Sequence, residues 1–156
     1  MTLASRLQED MTAAIRGHDE LRRDTLRMVI AAAYNEAKRA RRDLTDDEVV
    51  QVLTREVKTR TESVEAYSAV GRTDAADKER AEIEIIRAYL PEQLDQAELE
   101  RLVREAVAES GATSAREMGK VMSVLMPKVR GRADGKQVSA LVAQELARRD
   151  LAGHGH

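Results

Sequence analysis

The chain has 156 residues, 35% of them charged, and a formal net charge of −2, so bulk charge selects no partner. It has no cysteine, which excludes disulfides, thiolate metal sites and a cysteine nucleophile. Ala, Glu, Lys, Leu and Arg make up about half of it, with no Phe, no Trp and two prolines; that bias favours long helices, and no alternating run of Val, Ile and Thr offers a strand.

In chain order, Leu3, Leu7, Met11, Ala14 and Ile15 fall on one face and predict a first helix over 3–16, stopped at Gly17. Asp19 opens a second, running to about Arg42 with Leu21, Leu26, Val29, Ile30 and Ala33 inward. Its basic end, KRARR, suits the negative pole of a helix dipole. Thr45 and Glu48 read as a capping box for a third helix that carries Val49, Val52, Leu53, Val57 and Val64 towards Gly71. Thr73 and Asp74 start a fourth, apolar at Ile83, Ile86 and Leu90, with Pro91 as its stop. These four make an N-terminal helical domain over 1–91, either one antiparallel bundle or a bundle with a projecting helical pair.

A second unit is expected over 92–149. Asp95 and Glu98 repeat the box grammar, Leu99, Leu102, Val103, Ala106 and Val107 form the inner stripe, and Gly111 closes the helix. Ser114 and Glu117 read as a third box, before a stripe of Met118, Val121, Met122 and Leu125 that Pro127 ends. Asp134 caps a last helix with Val138, Leu141, Val142 and Leu146 inward. The fold class is therefore all-α, a four-helix bundle followed by a small three-helix bundle, with 150–156 as a disordered tail.

Catalytic chemistry finds little footing. His18 falls in a turn, and His154 and His156 in the tail; none has a partner at metal-ligand spacing, so no metal and no cofactor is expected. The carboxylates lie three and four residues from Arg or Lys, as on solvated helix faces. The apolar runs are too short to cross a bilayer, and the charged N-terminus is unlike a signal peptide, so a cytoplasmic protein is expected.

Charge distribution says more than net charge. Residues 92–110 carry six acids against Arg101 and Arg104, whereas 111–149 carry eight bases against Glu117, Asp134 and Glu145. Lys120, Lys128, Arg130, Arg132 and Lys136 crowd the stretch MGKVMSVLMPKVRGRADGK (118–136), around a glycine turn. That stretch is not a nucleotide-binding loop: its glycine spacing is one residue short and no Ser or Thr follows Lys136. Free amides at the start of the last helix could still hold one phosphate oxygen. No aromatic platform lies nearby, since Tyr34, Tyr67 and Tyr89 are all upstream, so contacts would fall on phosphate and sugar and recognition would be by shape. Structured RNA fits that description better than DNA. Met118, Met122 and Met126 offer either a malleable core or an adaptable protein-binding face.

Four segments carry a resemblance: LRRDTLRMVIAAAYNEA (21–37), VGRTD (70–74), AEIEIIRAYLPEQL (81–94) and MGKVMSVLMPKVRGRADGKQV (118–138). With them the chain from about Leu3 to Leu146 resembles the YqeY-like family, and its part after Pro91 is similar to the tail domain of the GatB subunit of glutamyl/aspartyl-tRNA amidotransferase. The resemblance implies a two-part helical fold and a tail that contacts tRNA through Lys120, Lys128, Arg130, Arg132 and Lys136. It also implies the family's description as a carbon–nitrogen ligase with glutamine as amido donor, for which residues 1–89 offer no catalytic constellation. The expectation is a non-catalytic accessory protein that binds tRNA or a tRNA-handling enzyme. The alternatives are a protein-binding adaptor without RNA contact and a participant in amide transfer.

Overall fold

The computed structural model describes residues 1–154. Those residues are all-α: α1 (Leu3–Arg16), α2 (Glu20–Ala40), α3 (Asp46–Ala69), α4 (Thr73–Arg87), α5 (Gln96–Ser110), α6 (Met118–Val129) and α7 (Gly135–His154), with a short 3-10 turn at Ala115–Glu117. The chain divides into two compact units, Met1–Pro91 and Glu92–His156. No helix among the described residues is long and apolar enough to cross a membrane.

Local chemistry sets most helix starts in the first unit. Thr2 and Asp19 accept backbone N–H bonds from Ser5 and Arg22. Thr45 and Glu48 form the reciprocal box expected of them, and Arg42 grips the Glu48 carboxylate from outside at 2.7 and 2.9 Å. That guanidinium, with the Thr45 amide, holds the Glu48 carboxyl down at about 2. The turn after α1 differs from expectation in detail: Gly17 keeps a negative φ, and His18 takes the left-handed conformation at φ 55°.

α1 packs on α2 and α3 on α4, while α2 also meets α3 and α4 and α1 meets α3. Leu7, Leu26, Val29, Val49, Leu53, Ile85, Ile86 and Tyr89 form the shared core. α3 is 24 residues long against 14 for α1, about 36 Å against about 21 Å. Its buried residues end at Arg60, and within the first turns of α4 only Ala76 is buried. One bundle therefore carries an α3–α4 hairpin whose tip runs past the core. Where the hairpin leaves the core, Arg60 and Glu82 pair at 3.0 Å, each side chain under a tenth exposed.

The second unit has its own core of Leu99, Val103, Ala106, Val107, Ala112, Val121, Leu125, Val129, Val138, Val142 and Leu146. Asp95 caps α5 and Gly111 closes it in the left-handed conformation. Two expected punctuation marks fail. Ser114 makes no side-chain cap bond, and the 3-10 turn replaces the first helical turn expected there; the Glu117 carboxylate goes to Thr113 and Lys120 instead. Pro127 lies inside α6 rather than ending it. Its missing N–H leaves the Ser123 carbonyl without that helical bond, but the next bonds form, Arg130 N–H to the Met126 carbonyl at 2.9 Å, and the helix runs to Val129. At the other end, α7 continues through Leu151 to His154, so the described part of the expected tail 150–156 is helical, while His156 lies outside the described residues.

Candidate nucleic-acid interface

The turn between α6 and α7 is built by two backbone devices. Gly131 adopts φ 76°, a region that costs a side-chain-bearing residue about 1–2 kcal/mol. The Asp134 carboxylate accepts from the Lys136 amide at 3.2 Å, and its carbonyl accepts from Val138 at 3.0 Å, starting α7. One of the amides expected to be free for a phosphate is thus occupied by an internal carboxylate.

The extended segment after Pro91 holds this turn in place. Leu94 N–H donates to the Arg132 carbonyl at 2.9 Å, and the Gln93 amide donates to the Gly131 carbonyl at 2.8 Å. Arg132 completes the clasp through its own guanidinium, which donates to the Glu92 carbonyl at 3.0 Å and the Lys128 carbonyl at 3.2 Å. Three of these bonds span about forty residues of sequence, and with the Arg132–Lys128 bond they fix a loop of five residues.

The five basic residues picked out by sequence consequently divide into three groups. Arg130 and Lys136 are exposed, and their side chains carry no ion pair among the described residues. Lys128 reaches Glu109 at 3.3 Å, and Lys120 reaches Glu117 at 3.2 Å; the Lys120 ammonium holds the Glu117 carboxyl below its ordinary range. Exposed pairs of this kind are weak in water and screened by salt, so a phosphate can compete for either lysine. Arg132 is half-buried and committed to carbonyls. Position separates the set further: Lys128, Arg130, Arg132 and Lys136 belong to the turn, whereas Lys120 stands about 12 Å back along α6.

Sequence reasoning missed Gln93 and the second role of Arg132. Their partners, Gly131 for Gln93 and Glu92 for Arg132, lie about forty positions away, and no local spacing reports them. It also missed that Glu109 of the acidic run returns beside Lys128, so the swing in charge along the chain is partly cancelled in space. Met118, Met122 and Met126 are partly buried against the core of the second unit, which is the packing role of a malleable side chain.

Similarity to known proteins runs along most of the chain. A family profile described as "Yqey-like protein" matches residues 4–146. Altered inheritance of mitochondria protein 41, mitochondrial, of Pyrenophora tritici-repentis is 29% identical over 144 residues, 89% of this chain and 78% of that protein.

Proposed function

The chain belongs to the Yqey-like protein family, and from that premise we propose that it is a non-catalytic accessory protein that binds structured RNA of the tRNA kind. The contact surface is the α6–α7 turn. The observation that carries the reading is the clasp on that turn. A backbone loop fixed by Arg132, Gln93 and Leu94 holds Arg130 and Lys136 exposed, with Lys128 beside them. A rigid cationic turn loses little freedom on meeting a rigid polyanion, and preorganisation of that sort is worth affinity. Phosphate contacts of this type read shape and charge rather than sequence.

Within this reading one residue takes a different part. Arg132 positions the turn, and the direct phosphate contacts fall to Lys128, Arg130 and Lys136, with Lys120 as an outlying contact. The resemblance of the sequence after Pro91 to the GatB tail favours tRNA over other folded RNA within this reading.

Fluorescence anisotropy with a labelled tRNA transcript tests this. The triple variant Lys128→Ala/Arg130→Ala/Lys136→Ala is expected to bind at least about tenfold more weakly than the wild type at low salt, its helical signal unchanged. Equal affinity for the two proteins would remove the proposal. Arg132→Ala should weaken binding and lower the melting temperature together, because it loosens the turn itself.

A further inference from the structure

The three tyrosines have different fates in the first unit. Tyr89 is 7% exposed, covered by the Arg6 guanidinium at 4.7 Å and bonded through its hydroxyl to Asp10. Tyr67 lies under Arg72 at 5.0 Å. Tyr34 is 66% exposed, and no cation among the described residues covers its ring. It stands on α2 between Arg27, two turns before it, and Lys38, one turn after it. At 100° per residue these three fall within about 40° of one another around the helix, with Ala31 just beside them, and are spaced about 10 and 6 Å along its axis. Arg27, Ala31 and Lys38 are exposed, and neither cation carries an ion pair among the described residues. Their neighbours Arg39 and Arg42, off this stripe, are paired with Glu36 and Glu48.

The stripe borders an open groove of about 730 Å³ between α1, α2 and the loop before α3. Ile30, Leu44 and Met11 make it apolar, Gln8 and Asn35 bring amides to it, and Asp43 is its one carboxylate. The volume is that of an ordinary ligand site.

We propose that the α2 face of Arg27, Tyr34 and Lys38, with the groove beside it, binds unpaired nucleotides of a single-stranded RNA. A base stacks on the open Tyr34 ring, the flanking phosphates meet Arg27 and Lys38, and amide or carboxylate groups of the groove face the base edge. An acidic peptide would satisfy the two cations but has no use for an uncovered ring. A duplex presents no free base face to stack. Nucleotides are the chemistry that uses ring, cations and amides together. The choice of RNA over DNA rests on the reading of the second unit; the stacking surface does not.

Anisotropy with a labelled ten-nucleotide unstructured RNA, on the full chain, tests the proposal. Wild type is expected to bind it, Tyr34→Ala to bind at least about fivefold more weakly, and Tyr34→Phe to bind like wild type, since stacking needs the ring and not the hydroxyl. Arg27→Ala/Lys38→Ala should reduce the magnitude of the salt slope by about 1.4. All of these positions are exposed, so circular dichroism should be unchanged. The Lys128/Arg130/Lys136 triple variant should keep its affinity for the oligonucleotide, which separates a failure here from a failure of the tRNA reading. Absence of oligonucleotide binding, equal affinity of Tyr34→Ala and wild type, or tighter binding of an acidic peptide of equal charge would overturn the assignment; tighter binding of the same sequence as DNA would overturn the commitment to RNA.

Discussion

Arg60 and Glu82 meet at 3.0 Å within the α3–α4 hairpin, and the same guanidinium donates to the Glu56 carbonyl and points an N–H at the Met28 sulfur. Removing one partner strands a desolvated charge, whereas replacing both removes the cost along with the attraction. Arg60→Ala and Glu82→Ala are each expected to cost about 3–5 kcal/mol in urea unfolding, and Arg60→Met/Glu82→Leu to be near neutral. Equal destabilisation by the single and double variants would contradict this. One turn before Glu82, Glu79 has its carboxyl pushed up, first by burial and then by the Glu82 charge, against a lowering by Arg60. A carboxyl raised in the folded state contributes stability below its unfolded pKa and loses it as pH rises through its folded value. Glu79→Gln should therefore raise the melting temperature at pH 7, with the gain vanishing near pH 4.

Among the elements, α6 and its turn depend most on distant parts of the chain. The clasp from 92–94 allows a five-residue connection to follow a helix that already contains a proline. Gly131→Ala should cost about 1–2 kcal/mol through its positive φ alone, without touching any charge. If the fixed turn is what RNA recognises, tRNA affinity should fall in that variant too, though less than in the Lys128/Arg130/Lys136 triple variant. A Gly131→Ala protein with unchanged stability would mean that the turn relaxes freely. Within α3, Thr45→Ala should remove the cap and cost about 1 kcal/mol, a change confined to the start of that helix.

At the scale of the molecule, each unit buries its own core, Leu26, Leu53 and Ile86 in the first and Val107, Leu125 and Val142 in the second. A fragment starting at Glu92 is accordingly expected to fold and melt cooperatively by circular dichroism, with the low stability of a domain of about sixty residues; a featureless melt would contradict it. The all-α class and most helix starts were legible in the sequence because they are local. Apolar spacing gives α1 its bounds, and Thr45 with Glu48 declares its box within four residues. Pro127 misled because proline is a stop only where the following backbone bonds fail, and here the Arg130 amide still reaches Met126. The site was legible as a crowd of cations and not as a geometry. That Arg132 reaches the Glu92 carbonyl, that Lys128 has Glu109 beside it and that Tyr34 carries no covering cation among the described residues are facts of tertiary contact, which no residue's neighbours in sequence record.

The central claim is that the α6–α7 turn meets the phosphate backbone of a folded RNA, and its most direct test is the dependence of tRNA affinity on salt. A plot of log affinity against log salt should be linear for the wild type. Its slope should lose about two to three units of magnitude when Lys128, Arg130 and Lys136 are all alanine, one for each contact removed. An identical slope for the two proteins, or a wild-type affinity indifferent to salt, would contradict the account.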